Sequence, residues 1–258
     1  MCKGVINLTM GSKFVRIYNC HRNKEVLKMF YSEQQVIDAC LDEPSTIFSV
    51  IKNGDFEMVE KLIDENIVNV NICDGAGNDV VTRLLKAKQY DLVIKTMKKK
   101  NWDVNHKNVE GNTFGHTLAL DNSIGALKVV EQLIKKTNFL PNIKNNKGET
   151  VLDSAINNNY IYTVFKILED KRFNDIDLLT FKKLYNVCIK SSYYGKYSKL
   201  NNLEVIVEKL EKKKLEPSMK KVIDIISDNM DTIKNEILKN KSSILDSIIN
   251  SSLKETTA

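Results

Sequence analysis

Residues 53–63 read Asn-Gly-Asp-Phe-Glu-Met-Val-Glu-Lys-Leu-Ile, and the apolar spacing of this stretch recurs three times further along the chain. Each copy has mainly apolar residues at steps of 3, 3 and 1: Phe56/Val59/Leu62/Ile63, Tyr90/Val93/Thr96/Met97, Leu127/Val130/Leu133/Ile134 and Ile161/Val164/Ile167/Leu168. The central valines are 34, 37 and 34 residues apart. Such spacing puts the side chains on one face of a helix, and a fixed period in this range indicates stacked supersecondary units.

Two further marks follow the helical stretches in register. The first is an apolar residue or proline before Asn or Asp: Val70-Asn71, Val104-Asn105, Pro141-Asn142 and Ile176-Asp177. The second is a turn signal that ends on glycine: Asp74-x-x-Gly77, Asn108-x-x-Gly111 and Asn145-x-x-Gly148. We therefore expect four units of helix, turn, helix and extended loop over residues 45–177. In the first unit, Ser45 should cap a helix, Gly54 should end it, and Asp55 should cap the next helix.

These marks resemble the ankyrin repeat. The match includes Gly111-Asn112-Thr113-Phe114-Gly115-His116, Gly148-Glu149-Thr150-Val151-Leu152 and the stretch quoted above. Departures include Asp79-Val80-Val81-Thr82 in place of Thr-Pro-Leu-His, Lys88 in place of the inter-helix glycine, and three extra residues near residues 122–126. The resemblance implies an all-α helical repeat solenoid. It also implies a non-enzymatic scaffold that binds a partner protein through its turn tips and the concave face of its first helices.

The tips of the turns carry the candidate partner-binding residues. Exposed loop residues on a rigid scaffold are where binding residues concentrate. The candidates are Asp74, Asn78, Lys107, Asn108, Glu110, Asn145, Asn146 and Lys147. For each of them, a solvated turn without a partner is the alternative.

Lysines recur at the ends of the second helices and define a candidate basic ridge. The ridge consists of Lys98, Lys99, Lys100, Lys135 and Lys136. One interpretation is that cations stabilise helix C-termini, where the macrodipole is negative. The other is a binding edge for nucleic acid or an acidic surface. Trp102, which follows the first lysine group, is expected either to stack in the adjacent turn or to anchor a partner.

The ends of the chain depart from the repeat. Residues 1–44 are expected to form an N-terminal cap, with a strand over Lys13–Tyr18 and a helix over Glu25–Leu41 that is interrupted near Ser32. Ser32 followed by Gln35 is expected to cap a second short helix there. Residues 178–217 are interpreted as a degenerate fifth repeat with a loop over 192–199. Residues 218–258 should form a helical C-terminal cap, opened by Pro217, or else a separate partner-binding helix.

Composition indicates a folded intracellular, cytoplasmic protein. Hydrophobic residues make up 42% and charged residues 28% of the 258, which is ordinary for a globular chain. Five scattered cysteines argue against a disulfide framework, and no run is long enough to span a membrane. His116 is expected to hold a turn and His106 to be a solvated loop residue. No motif predicts a catalytic residue, metal or cofactor, and we expect a monomer that acts without enzymatic chemistry.

Overall fold

The computed structural model of the chain describes residues 5–10, 13–18, 32–173, 176, 178–190, 195–213, 215, 217–228, 230–238 and 247. Two compact units form, Met1–Phe114 and Gly115–Ala258. Over the described residues, the regular structure is helical apart from one short hairpin and an isolated bridge between Cys73 and Asp79. The predicted helical fold class is confirmed at this level.

Unit 1 begins with the hairpin and continues in helices. Its elements are β1 Val5–Met10, β2 Lys13–Tyr18, α1 Glu33–Asp42, a 3-10 turn Pro44–Thr46, α2 Ile47–Asn53, α3 Phe56–Asp64, α4 Val80–Lys86 and α5 Tyr90–Thr96. The antiparallel pairing of β1 with β2 confirms the predicted strand over Lys13–Tyr18. Helix α6, Phe114–Leu118, starts at the last residue of this unit.

Helix α1 starts where the sequence signals a cap. The Ser32 side chain accepts a hydrogen bond from the Gln35 amide, and the Gln35 side chain accepts one from the Ser32 amide. This reciprocal capping box satisfies two amide donors at the helix start. The part of the predicted helix that precedes Tyr31 lies outside the described residues. Ser45 does not cap α2, contrary to the prediction, because Pro44 opens a 3-10 turn that contains Ser45.

Within each helix pair of unit 1, a residue in the left-handed conformation lies between the first and the second helix. Gly54 has φ +80° between α2 and α3, and Lys88 has φ +59° between α4 and α5. Asp55 caps α3 as predicted, its side chain accepting from the Met58 amide. Lysine therefore adopts the backbone conformation that was expected of glycine at the same place, although a side chain makes that conformation unfavourable.

Unit 2 contains the remaining helices. They are α7 Ile124–Leu133, α8 Val151–Asn157, α9 Ile161–Leu168, α10 Leu178–Lys190, α11 Gly195–Glu211, α12 Pro217–Asp228 and α13 Met230–Leu238. Helix α11 starts within the predicted loop over residues 192–199, so that part of the prediction is wrong. Pro217 opens α12 as predicted, where its fixed φ suits the first turn of a helix.

The later helices of unit 2 pack in a regular order. Helix α10 contacts α8, helix α11 contacts α9, and α10 and α11 contact each other. Helices α12 and α13 both contact α11. Apolar side chains on these elements are buried: Leu203, Ile206, Leu210, Ile223, Ile226 and Ile233. The chain therefore adds one more helix pair to α8/α9 and then covers α11 with two further helices.

The four valines of the sequence repeat are all buried. They are Val59, Val93, Val130 and Val164. Each lies on the second helix of its pair and faces the interior, as the apolar stripe predicts. Helices α2 and α4 contact each other in unit 1, and α7 and α9 contact each other in unit 2.

Candidate partner-binding surface

Three turns with the same hydrogen bonds form the tips. The side-chain Oδ1 of Asp74 accepts from the amides of Ala76 and Asn78 at 2.9 Å each. Oδ1 of Asn108 accepts from Glu110 and Asn112 at 3.0 Å each, and Oδ1 of Asn145 accepts from Lys147 and Glu149 at 2.9 and 3.0 Å. A glycine with positive φ completes each turn: Gly77, Gly111 and Gly148. Three of the predicted binding residues therefore hold their own turns.

The Asp74 carboxylate is held in its charged form. Burial opposes this by raising the pKa, but hydrogen bonds from the Asn78 amide, the Asn78 side chain and the Ala76 amide outweigh it, with help from the Arg83 charge. The net effect is a pKa of Asp74 below its ordinary value. The Nε atom of Arg83 lies 3.4 Å from Asp74 Oδ2. Asp74 therefore acts as a structural anion within the turn.

Asn78 joins two tips and a helix instead of projecting toward solvent. Its side chain is only 2% exposed, contrary to the prediction. Asn78 Oδ1 accepts from Nζ of Lys86 at 2.9 Å and from Nδ2 of Asn108 at 3.1 Å. A polar side chain can be buried at low cost when its hydrogen bonds are satisfied. Asn78 therefore positions the surface without being part of it.

The two tips of unit 1 are also joined through their backbones. The Val109 amide donates to the Ala76 carbonyl at 3.1 Å. Nε2 of His106 lies 2.9 Å from the Gly77 carbonyl oxygen and 3.2 Å from Sγ of Cys73. His106 is consequently half-buried and bonded, so its prediction as a solvated loop residue is wrong. These contacts make the unit 1 tips a single layer.

The tips carry exposed side chains that are charged, polar or apolar. Among them are Lys107, Val109, Glu110, Asn146 and Lys147. Four of these belong to the predicted candidate set, and Val109, 66% exposed, was missed because an apolar residue does not signal a turn tip. The tips thus present charged, polar and apolar side chains on a backbone fixed by hydrogen bonds.

First helices adjoin the tips and contribute a second set of exposed side chains. Lys86, the last residue of α4, reaches Asn78, which lies in the preceding tip. Asn157, at the equivalent place in α8, donates from Nδ2 to Oε1 of Glu149 at 2.8 Å. The same helix position therefore contacts the same tip position in both units.

Part of the candidate basic ridge is used for helix capping. Nζ of Lys99 donates to the Ile63 carbonyl at 2.9 Å, at the C-terminal end of the preceding second helix. Lys136 is half-buried, and burial lowers the pKa of its ammonium. Lys98, Lys100 and Lys135 are exposed.

Cations later in unit 2 repeat the capping contact. Arg172 Nη2 donates to the Ile134 carbonyl at 2.7 Å, and Nη1 donates to the Lys136 and Phe139 carbonyls at 2.7 and 2.8 Å. Asp170 orients the guanidinium with hydrogen bonds of 2.7 to 3.1 Å. Cations that satisfy terminal carbonyls match the interpretation based on the helix dipole.

Lysines on the second helices form ion pairs with the second helix of the preceding pair. Nζ of Lys95 lies 2.5 Å from Glu60 and 2.6 Å from Asp64. In unit 2, Nζ of Lys166 lies 2.9 Å from Glu131. Glu60 and Glu131 each follow a central valine directly, so the two ion pairs occupy equivalent positions of the repeat. The apolar pattern did not predict these ion pairs.

Bulky apolar residues occur nine positions after each central valine and are buried. They are Val68, Trp102, Phe139 and Phe173. Trp102 packs edge-to-face on Phe114 with ring centroids 5.1 Å apart, and Phe139 lies 6.3 Å from Phe173. Trp102 therefore packs in the interior, which excludes its role as a surface anchor.

His116 has the structural contact that was expected. It is 1% exposed, and its Nε2 lies 2.9 Å from the Glu149 carbonyl oxygen.

Among the described residues, no cluster of three or more His, Cys, Asp or Glu side chains is arranged to hold a metal. None of the described helices combines the length and apolar character required to cross a bilayer. Neither a protein-family model nor a curated protein sequence matches the chain.

Proposed function

We propose that this chain is a non-enzymatic, ankyrin-type scaffold, an intracellular, cytoplasmic monomer that binds a partner protein through its turn tips and first-helix face. The observation that carries the proposal is the identical bonding of the turns at Asp74, Asn108 and Asn145. Each of these turns holds its own exposed side chains on a backbone fixed by hydrogen bonds. Such preorganisation lowers the entropic cost of binding a partner.

Two features of the packing support a repeat solenoid with capped ends. Helices α10 and α11 lie against α8 and α9, as a fifth repeat would. Helices α12 and α13 lie against α11 and bury Ile223, Ile226 and Ile233. A stack of repeats needs a terminal element with a polar outer face. This favours the cap over a separate partner-binding helix for residues 218–258.

The use of ridge residues inside the fold argues against nucleic acid as the main partner. Lys99 donates to a backbone carbonyl, and Lys136 is half-buried. Each phosphate that a protein neutralises requires an available cation. Nucleic-acid binders also stack aromatic side chains on bases. The ring of Trp102, which follows the ridge lysines, is buried and therefore does not serve that role.

A capture experiment with matched variants tests the proposal. The tip variant is Lys107→Ala/Glu110→Ala/Lys147→Ala, and the control is Lys98→Gln/Lys100→Gln/Lys135→Gln on the ridge. Each protein is incubated with nuclease-treated extract from the native host, and captured proteins are identified by mass spectrometry. We expect a protein that the unmodified chain and the ridge variant retain and the tip variant loses. Retention by the tip variant, or dependence on intact nucleic acid, would contradict the proposal.

A further inference from the structure

The first helices of unit 1 are uniformly cationic. Helix α2 carries Lys52, helix α4 carries Arg83 and Lys86, and neither contains an acidic residue. The two helices contact each other, so these cations share one helical layer. Lys52 and Lys86 are exposed, and the Arg83 side chain is 32% exposed. This set of three residues is called the cationic face below.

The described polar contacts of the cationic face include one acidic side chain, that of Asp74. Arg83 is paired with Asp74, which is only 16% exposed and already accepts hydrogen bonds from Ala76 and Asn78 in its own turn. Lys86 donates to the neutral amide of Asn78. The face therefore carries an excess of positive charge that its described contacts leave uncompensated.

Two second helices balance lysines with acidic partners. On the second helices, Lys95 pairs with Glu60 and Asp64, and Lys166 pairs with Glu131. The positions of unit 2 that correspond to Lys52 and Lys86 in the sequence repeat are exposed and neutral: Leu120, which follows α6, and Asn157, which ends α8. The positive excess of α2 and α4 is therefore not repeated at these two positions, although α10 also carries lysines and no acidic residue.

We propose that the cationic face binds an acidic segment of the partner protein. This inference rests on the proposed function, since it names the chemistry of the partner at that surface. A segment rich in Asp and Glu offers carboxylates to the Lys52 and Lys86 ammonium groups. The same segment can continue onto the tip layer, because Asn78 joins Lys86 to Asn108. Complementary charge steers such an encounter and fixes its register.

Nucleic acid fits this face less well than an acidic peptide. Three cations, one already paired with Asp74, are few compared with the phosphate contacts of nucleic-acid binders. No aromatic residue occurs on α2 or α4 apart from Phe48. Base stacking, which supports single-strand binding, would therefore have little to act on.

The test uses the full chain and a fluorescein-labelled oligoglutamate peptide as the probe. The variant Lys52→Gln/Lys86→Gln removes two charges from the face. The variant Lys98→Gln/Lys100→Gln removes the same charge from the ridge of the same unit. The variant Lys52→Arg/Lys86→Arg keeps the charge, and thermal unfolding confirms that each variant remains folded.

Fluorescence anisotropy should show that the first variant binds the peptide about tenfold more weakly and that the ridge variant changes affinity less than about twofold. The arginine variant should bind like the unmodified chain. Equal weakening by the glutamine variants on face and ridge would overturn the inference, because the attraction would then be unspecific. Tighter binding of oligoadenylate RNA than of oligoglutamate at the same salt concentration would also overturn it.

The captured partner separates this inference from the proposed function. If the tip variant loses the partner and Lys52→Gln/Lys86→Gln retains it fully, the inference fails and the scaffold proposal stands. If both lose it, and oligoglutamate competes with the captured protein, the inference is supported. If neither loses it, both proposals fail.

Discussion

Helix α4 of unit 1 and helix α8 of unit 2 begin at equivalent points of the sequence repeat but with different caps. Asp79 caps α4 by accepting from the Thr82 amide at 2.7 Å, and its other oxygen accepts from Nε1 of Trp102, also at 2.7 Å. Thr150 caps α8 in a capping box with Asp153. The residue that corresponds to Trp102 in that repeat is Phe173.

The cap residue and the buried aromatic residue therefore change together between the two repeats: Asp79 occurs with Trp102, and Thr150 occurs with Phe173. A buried carboxylate requires hydrogen-bond donors, and the indole N–H supplies one. A threonine cap makes no such demand, so phenylalanine suffices at the distant position. The comparison teaches that one structural position can keep its role with different residues, provided that its partner 23 positions later changes in step.

The largest expected effect comes from charging the shared core position. Val130→Asp places a carboxylate where valine is 2% exposed, with no donor supplied to it. We expect a loss of more than about 4 kcal/mol in the free energy of unfolding, enough to unfold unit 2. Circular dichroism and urea denaturation measure it. Lys128→Asp, on the exposed face of the same helix, is the control, and a helical, equally stable Val130→Asp protein would contradict the packing described.

The turn glycines provide a smaller contrast between the units. Gly77 and Gly148 both have positive φ, +75° and +77°, but a Cβ at Gly77 would lie 3.1 Å from Asn108 Cα, whereas nothing lies within 4 Å at Gly148. We expect Gly148→Ala to cost about 1 kcal/mol for the backbone conformation alone. Gly77→Ala should cost at least about 1 kcal/mol more, because the second tip must shift. Equal losses in urea denaturation would show that the tips of unit 1 are not in contact.

Half-buried Lys213, which follows helix α11, should give a pH-dependent effect on stability. Nζ of Lys213 donates to the Asp170 carbonyl at 2.8 Å, and burial lowers the pKa of this ammonium to about 8 from 10.5, Asp170 opposing and Lys209 adding to the shift. Between pH 8 and 10.5 the unfolded chain holds a proton that the folded chain has lost, so the folded state gains stability as pH rises through that window.

The comparison variant for this effect is Lys213→Met. The stability of the unmodified chain relative to this variant should increase by about 1 to 2 kcal/mol from pH 8 to pH 10.5, after allowance for solvent screening. Unfolding midpoints across that pH range measure the difference. Lys212→Met, at an exposed neighbouring position, should show no such trend, and a flat difference for Lys213→Met would refute the assignment.

The smallest expected effect is a stabilisation at the inter-helix position. Lys88 has φ +59°, where Gly54 has φ +80° in the preceding pair. Replacing Lys88 by Gly removes the steric cost of a side chain in this conformation, so Lys88→Gly should stabilise the chain by about 0.5 to 1 kcal/mol. Asn159→Gly, at φ +57° in unit 2, should gain less, because asparagine tolerates this region better than lysine. Urea denaturation measures both variants, and destabilisation by Lys88→Gly would contradict the expected steric cost at this position.

Local features of the fold were predictable from the sequence. The period of the apolar stripes located the second helices, the Asp-x-x-Gly and Asn-x-x-Gly signals located the turns, and Ser32 with Gln35 marked a helix start. Each depends on residues close together in the chain, where spacing directly determines geometry. The prediction that Ser45 caps a helix was wrong because the preceding proline opens a 3-10 turn there.

Long-range features were not predictable in the same way. Asn78 is a polar turn residue by type, and only its contacts with Lys86 and Asn108 explain its burial. The buried residues Val68, Trp102, Phe139 and Phe173 share a position but not a residue type, so no sequence pattern singled them out. The turn positions in the sequence predicted which region carries exposed candidate binding residues. Only the hydrogen bonds of the structure distinguish the exposed candidates from those that hold the turns.

A double-mutant cycle on Asp79 and Trp102 tests most directly whether the repeats keep equivalent positions with exchanged residues. Trp102→Phe alone removes a donor from a buried carboxylate and should cost about 2 to 4 kcal/mol in the free energy of unfolding. In the Asp79→Thr background the same change reproduces the Thr150 and Phe173 combination of unit 2 and should cost less than about 1 kcal/mol. Urea denaturation of the four proteins should therefore give a coupling energy of at least about 1 kcal/mol. Additive losses would contradict the account.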